Sequence, residues 1–194
     1  MSDDLALEPN LVIQAAVATI LTELGYDLGD QHLKRTPERF AKVLQQFAAN
    51  GSIEEGERLL EVVFDDEHNS LVMVGPTRVT SMCAHHMLPV TGYAWVGYIP
   101  DGRVVGLSKL ARIVDHYARQ FTVQERVTQL IANTLMNALD PKGVMVVIEA
   151  EHGCMTARGV REPYALTATS AVRGVFLHEK EAKEEFLALM RRPK

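Results

Sequence analysis

The sequence predicts an α+β fold, in which helices and strands occupy separate parts of the chain. Three observations support this class. Before residue 65, apolar side chains recur at helical spacing. After the acidic segment 65–70, short stretches rich in Val, Thr, Tyr and Trp are typical of strands. Two consecutive helices then separate two groups of strands, whereas a doubly wound sheet alternates strands with helices.

The N-terminal third is predicted to be helical. Residues 9–26 place apolar side chains close to every third or fourth position. Thr36-Pro37-Glu38 indicates a helix start, because Thr can cap, Pro suits the first position and Glu complements the helix dipole. A third amphipathic stretch covers residues 53–64. We therefore predict an N-terminal helical region, residues 1–65, followed by a larger domain, residues 66–194.

The larger domain is predicted to contain an antiparallel sheet. Its strands are expected over residues 71–82, 92–98, 103–106, 144–150 and 167–176. Asp101-Gly102 gives a turn signal before the third strand. Ser108 and Thr122 are the predicted N-caps of two consecutive helices between the third and fourth strands. A charged helix over residues 180–191 follows the last strand.

Composition excludes several classes of protein. The chain has 194 residues and is 47% hydrophobic, which is enough to bury a core without disulfides or a structural metal. A net charge of −5 lacks the positive surface expected of a nucleic-acid binder. Asp3 and Asp4 stand where a secretory signal carries basic residues, and no apolar run reaches the length of a membrane span. We expect a cytoplasmic protein with no nucleic-acid or membrane partner.

Two segments carry residues that commonly bind transition metals. Cys83 and His86 lie three positions apart directly after a predicted strand, and His152 and Cys154 lie at the end of another. Because side chains alternate along a strand, His152 and Cys154 should point to the same side. If the two segments are neighbours, Cys83, His86 and Cys154 form a Cys2His set with one tetrahedral position left for water, as in catalytic zinc sites.

Two other interpretations of the cysteines remain open on spacing alone. Cys83 and Cys154 are compatible with buried thiols, because a Cys-x-x-His segment is only half of a zinc-finger signature. A disulfide between them is the further alternative, and it requires an oxidising compartment that nothing else in the sequence suggests. The spacing therefore supports a metal site without establishing one.

Basic residues cluster near the starts of two predicted helices. Lys109 and Arg112 share one face of the turn after Ser108, where free N–H groups and the helix dipole favour an anion such as phosphate. Arg39 and Lys42 form a second basic turn. An ordinary solvated basic pair is the alternative interpretation at both places, because exposed charges cover most helix surfaces.

Glu125 also has two interpretations. With Thr122 it matches a capping box, in which the Thr hydroxyl accepts from the N3 amide and the Glu carboxylate reaches back to the cap. The carboxylate could instead accept two hydrogen bonds from the N1–H and exocyclic amine of a guanine edge. The local sequence does not decide between them.

Taken together, the motifs resemble the GTP cyclohydrolase I family. Five blocks match in the family's order: SMCAHH at 81–86, GLSKLAR at 106–112, VQER at 123–126, EAEHGCM at 149–155 and RGV at 158–160. Thr169-Ser170 matches beyond them, while the N-terminal third matches weakly, chiefly through residues 36–39 and Lys42. The match therefore covers most of the catalytic half of the chain.

The resemblance implies a fold, an assembly and a reaction. The fold is the tunnelling fold, an antiparallel sheet with paired helices on one face, here with an N-terminal helical extension and a catalytic domain at residues 66–194. The assembly is a homo-oligomer, a decamer in bacterial members, with active sites at subunit interfaces. The reaction converts GTP and water to 7,8-dihydroneopterin triphosphate and formate, the first step of pterin and tetrahydrofolate biosynthesis.

The resemblance also implies a role for each matching residue. The implied Zn²⁺ ligands are Cys83, His86 and Cys154. The implied acid–base histidines are His85 and His152, and the implied guanine-site residues are Gln124, which we also place among the catalytic residues, and Glu125. The implied triphosphate contacts are Lys109, Arg112, Arg158, Arg39 and Lys42. Ser108 matches the residue that assists the later sugar rearrangement.

The chain departs from the family pattern at a few positions. Ala84 stands where Glu is usual between the metal Cys and the His pair, so a carboxylate that could tune the site is missing. Gly75-Pro76 and Glu162 are further departures. Two rival functions stay open: a zinc hydrolase that stops at the ring-opened or deformylated pyrimidine, and a non-catalytic nucleotide-binding or assembly protein of the same fold.

Overall fold

Two compact units, which divide at residues 49–50, make up the part of the chain that the computed structural model describes, residues 8–48 and 51–191. The first unit contains helices α1 (Leu11–Glu23) and α2 (Thr36–Gln46), which pack against each other. The Asn10 side chain caps α1 by accepting hydrogen bonds from two backbone amides. Both predicted helices are confirmed, although Thr36 is the first helical residue of α2 and does not cap it.

The second unit contains the remaining elements. Its helices are α3 (Ile53–Leu59), α4 (Leu107–Ala118), α5 (Gln124–Leu139), α6 (Gly153–Thr156) and α7 (Lys180–Met190). Its strands are β1 (Val63–Asp65), β2 (Val72–Cys83), β3 (Pro89–Ile99), β4 (Arg103–Val105), β5 (Phe121–Thr122), β6 (Gly143–His152) and β7 (Leu166–Gly174). The domain boundary predicted after residue 65 lies between β1 and β2, whereas α3 and β1 belong to this second unit.

The main sheet has five strands in the order β5-β2-β3-β6-β7. All neighbours are antiparallel except β5, which runs parallel to β2, so the sheet is mixed. Strand β4 pairs with β1 in a separate two-stranded sheet. The turn at Asp101-Gly102 therefore does not close a β3–β4 hairpin, because β2 and β6 already occupy both edges of β3.

The two faces of the main sheet are covered by different helices. On one face, Leu110 and Ile113 of α4 and Ile131 of α5 are buried in the cluster that holds Val146 and Ile148 of β6. The opposite face buries the alternate residues of β6 in a second cluster with α7. Because β6 is covered on both faces, its sequence is a nearly continuous apolar run. The α+β class with two helices paired on one face is confirmed.

Two predicted helix starts are wrong in detail. Thr122 lies in β5, where its carbonyl oxygen accepts a hydrogen bond from the Ala84 amide at 3.1 Å, and α5 begins only at Gln124. This strand pairing holds Thr122 away from the N-cap position, so the capping-box interpretation of Glu125 does not apply. Ser108 lies inside the first turn of α4, after the N-cap Gly106. In the described residues, no helix is long and apolar enough to span a membrane.

Candidate active site

Strand direction brings the predicted site segments to one end of the sheet. Strands β2 and β6 are both antiparallel to β3, so they run in the same direction and end on the same side. Cys83 is the last residue of β2, and His152 is the last residue of β6. The pairing of β5 with the end of β2 places the start of α5, at Gln124, beside them.

Cys83, His86 and Cys154 form a three-donor cluster at this end of the sheet. Their candidate ligand atoms all lie within 4.8 Å of one another, and the Sγ atom of Cys83 is 3.7 Å from Nδ1 of His86. Two ligands on one tetrahedral zinc ion are separated by about 3.5–3.8 Å. The structure therefore brings together the three predicted ligands at a spacing that fits a metal ion.

Backbone hydrogen bonds hold the turn that carries His86. The Met87 amide donates to the Cys83 carbonyl oxygen at 2.9 Å, and the Cys83 amide donates to that of Leu88 at 2.8 Å. Met87 has a φ of 54°, in the left-handed region, which lets the chain reverse within a few residues. This tight reversal returns the His86 ring to the buried Cys83 thiol.

A bound metal ion would change the protonation of the two thiols. Both cysteines are free, so the structure contains no disulfide between them. Burial, together with the neighbouring Cys83 thiol, raises the pKa of Cys154, while the positive charge of Arg158 opposes that rise. A divalent cation favours the thiolate form strongly. Two sulfurs and one imidazole nitrogen are donors that suit zinc.

A cavity of about 430 Å³ opens beside the cluster. Its polar lining comes from Cys83, Cys154, His85, His152, Gln124 and Glu125, together with Thr122 and Thr167. Val90, Val123 and Met155 supply apolar walls. The cavity therefore combines metal donors, two imidazoles, an amide and a carboxylate in a space suited to a small polar ligand.

Gln124 connects the imidazole of His152 to the protein interior. Gln124 is only 4% exposed, and its Oε1 lies 2.8 Å from Nε2 of His152. Its Nε2 lies 3.0 Å from each of three oxygens: the carbonyl oxygens of Ile148 and Thr167, and Oγ1 of Thr169. Burial lowers the pKa of His152, and the negative charge of Glu125 opposes that effect.

The structure does not bring every predicted site residue to this cavity. Lys109 and Arg112, with Ser108, lie at the start of α4, and Arg158 is exposed in the segment after α6. None of the described residues that line the cavity is Lys or Arg. Arg39 and Lys42 lie on α2 of the first unit, where the Lys42 amine is 3.7 Å from a Glu38 carboxylate oxygen.

Three threonines around Gln124 were not predicted from the sequence. Thr128 is fully buried on α5, one helical turn after Gln124. Thr167 and Thr169 lie two positions apart on β7, so they share one face of that strand. A polar residue within the apolar face of a helix is a signal that could have identified Thr128. Nothing in the sequence indicated that Thr167 and Thr169 would lie beside that helix.

The family model and the curated relatives that match this chain carry the same enzyme name. The family model for GTP cyclohydrolase I matches residues 13–191. The chain is 48% identical over 181 residues to the GTP cyclohydrolase 1 of Mycolicibacterium vanbaalenii, covering 92% of this chain and 89% of that protein. It is 50% identical over 176 residues to that of Gloeobacter violaceus, covering 90% and 82% of the two chains.

A further curated relative and a solved structure are also similar. The GTP cyclohydrolase 1 of Brevibacillus brevis is 47% identical over 180 residues, covering 92% of this chain and 96% of that protein. The crystal structure of the archaeosine synthase QueF-Like in the apo form matches 54% of this chain and 94% of its own, with 22% identity and a TM-score of 0.45.

Proposed function

Because the chain belongs to the GTP cyclohydrolase I family and is an enzyme of this type, we propose that it converts GTP and water to 7,8-dihydroneopterin triphosphate and formate in a zinc-dependent reaction. The observation that supports this most is the meeting of the Cys83, His86 and Cys154 cluster with His152, Gln124 and Glu125 around one cavity. The product is then the precursor of pterins and tetrahydrofolate.

The three-donor cluster is our proposed zinc site. Cys83 is held by the sheet, His86 by the β2–β3 turn and Cys154 by α6, so the ligands come from three separate elements. When bound, a zinc ion with three protein ligands supplies a Lewis acid that activates water near neutral pH. The thiols also fit a reducing, cytoplasmic location.

Glu125 is our proposed guanine-recognition residue. It lies in the first turn of α5, its side chain is exposed, and it lines the cavity. An ionised carboxylate accepts hydrogen bonds only, which suits the adjacent N1–H and exocyclic amine of guanine. Adenine presents an unprotonated N1 at the corresponding position, so the same carboxylate disfavours it.

His152 and His85 are the proposed acid–base groups. We assign to His152 the transfer of a proton to N7 of the purine, which makes C8 more electrophilic. Burial lowers the pKa of His152, and the negative charge of Glu125 opposes that effect without reversing it. Gln124 orients this ring through the 2.8 Å contact.

The triphosphate is proposed to bind outside the described cavity lining. We assign its contacts to five basic residues: Lys109, Arg112, Arg158, Arg39 and Lys42. Because no Lys or Arg is among the described residues of the cavity wall, these cations must approach from its rim or from another subunit. We propose the second arrangement, in a homodecamer with active sites at subunit interfaces. Ser108 is proposed to assist the later sugar rearrangement.

A turnover assay tests the proposed reaction. Protein of known metal content is incubated with GTP, and formate and pterin fluorescence are followed together, with and without a chelator. We expect equal amounts of both products, and loss of both on chelation. Formate without pterin would show a hydrolase that stops at the deformylated pyrimidine, and neither product from zinc-loaded protein would contradict the proposed activity.

A further inference from the structure

We propose that the face of the main sheet opposite the candidate active site carries a second small-molecule site, which takes a planar aromatic cation with an amidine-type pair of N–H donors. The site is a cavity of about 540 Å³ between α7 and strands β3, β6 and β7, which we call the α7 cavity. It shares no lining residue with the cavity beside the three-donor cluster, so it is separate from the site proposed to act on GTP.

The alternation of side chains along β6 separates the two cavities. Glu149 lies three positions before His152 on this strand, so their side chains point to opposite faces of the sheet. The sheet register places Ala168 of β7 directly opposite Glu149. Because Ala168 is small and exposed, it leaves room for a ligand beside the Glu149 carboxylate.

The α7 cavity has an apolar floor. Met145 and Val147 of β6 are buried there, and Leu187 and Met190 of α7 line the cavity from the helix side. Methionine side chains adapt to the shape of a ligand and make favourable contacts with aromatic rings. This lining suits the flat apolar body of an aromatic ligand.

Trp95, the only tryptophan of the chain, supplies an aromatic wall. It is half-buried, and β2 packs so closely against it that a Cβ at Gly75 would overlap Cδ1 of the indole. This contact limits the movement of the ring before any ligand binds. The indole face stacks on planar rings and is the strongest aromatic partner for a cation.

The Glu149 carboxylate gives the α7 cavity its preference for a cation. Glu149 is half-buried, and among the described residues its side chain has neither a hydrogen-bond nor an ion-pair partner. Arg191 lines the same cavity at the exposed end of α7 without forming an ion pair with Glu149. An amidinium group would satisfy both carboxylate oxygens with two parallel, charge-assisted hydrogen bonds.

Benzamidinium is a suitable probe, because it joins a phenyl ring to the required pair of donors. Trp95 fluorescence reports its binding directly when the indole is excited at the long-wavelength edge, where benzamidine does not absorb. With zinc-loaded, full-length protein we expect saturable quenching. Benzamide has the same ring and size but no charge, and it should bind at least about tenfold more weakly.

Glu149→Gln is the matched variant, because it keeps the shape of the side chain and removes its charge. It should weaken benzamidinium binding by at least about tenfold. Glu151→Gln is the control, since Glu151 lies on the same face of β6 but is exposed and does not line the α7 cavity. Its affinity should change by less than about twofold. Ala168→Leu fills the cavity from β7 and should abolish quenching, which decides the question if Glu149→Gln does not fold.

The absence of saturable quenching in the wild type would overturn the proposal, as would equal quenching by benzamide or unchanged affinity in Glu149→Gln. Trp95 does not line the candidate active site, so Glu125→Ala should leave the quenching unchanged. Loss of quenching in Glu125→Ala would place the probe at that site and contradict a second one. Turnover of GTP is measured separately, so failure of the proposed function and failure of the α7 cavity to bind benzamidinium are distinguishable.

Discussion

Glu125 is the residue whose substitution should separate substrate recognition from chemistry. We expect Glu125→Ala to lower kcat/KM for GTP by about 10- to 100-fold, because hydrogen bonds to a charged group contribute about 1.5–3 kcal/mol. Inosine triphosphate lacks the exocyclic amine, so the preference for GTP over it should fall towards one. Kinetics with both nucleotides measure this ratio. An unchanged ratio in Glu125→Ala would assign guanine recognition to another residue.

The three-donor cluster and the neighbouring His85 should differ sharply in metal binding. We expect Cys83→Ala, Cys154→Ala and His86→Ala each to lose bound zinc and activity together, because three protein ligands leave no redundancy. His85→Ala is the matched control, since His85 lines the cavity outside the cluster and its loss should spare the metal. Metal analysis of purified protein gives the answer. Stoichiometric zinc in Cys154→Ala is incompatible with the ligand assignment.

At the scale of elements, the close approach of β3 and β6 positions the end of β6. Gly92 of β3 lies opposite Ala150, two residues before His152. A Cβ at Gly92 would overlap the Glu149 carbonyl oxygen and lie 2.5 Å from the Cα of Ala150. Because the backbone of β6 is hydrogen-bonded within the sheet, it cannot move away from the added methyl group. Gly92→Ala should therefore lower the free energy of unfolding by about 3 kcal/mol.

Urea unfolding at fixed protein concentration measures this effect. Gly106→Ala is the control, because the nearest atom to its added Cβ, Cγ of Lys109, is 4.0 Å away and its φ of −57° suits alanine. Its unfolding free energy should change by less than about 0.5 kcal/mol. Similar stability in Gly92→Ala and Gly106→Ala would mean that β3 and β6 can separate without cost.

At the scale of the whole molecule, the positions of the basic residues proposed to bind the triphosphate determine whether one chain or two contribute to each site. If the triphosphate contacts come from a second subunit, a Lys109→Ala, Arg112→Ala double variant and a Cys154→Ala variant should each be inactive alone. Co-expressed, they should recover about a quarter of wild-type activity, because random assembly pairs two intact surfaces at that frequency in a symmetric oligomer. Activity of isolated mixed oligomers measures the recovery.

The same experiment can contradict the interfacial site. If each site is built within one chain, mixed oligomers should show no more activity than the sum of their parents. Mixing the purified parent oligomers without subunit exchange controls for residual activity. A recovered fraction near a quarter would also require the three-donor cluster and the basic turn of α4 to belong to different chains.

The sequence alone determined the fold class, most element positions and the identity of the metal-ligand candidates. Local patterns encode these properties: helical spacing in residues 9–26, β-rich composition after the acidic segment, and the donor chemistry of Cys and His. The predicted strands over 71–82 and 144–150 correspond to β2 and β6. Local patterns do not encode strand pairing, so the partner of β4 and the place of Thr122 in β5 were not predictable.

Only the tertiary structure decided which distant residues meet. Cys83 and Cys154 are far apart in sequence and come together because β2 and β6 run in the same direction across β3. Gln124 donates to the carbonyl oxygens of Ile148 and Thr167 because α5 packs on β6 and β7. Each of these contacts depends on burial and hydrogen bonding between separate elements, which a chain acquires only when the whole sheet and its helices are packed together.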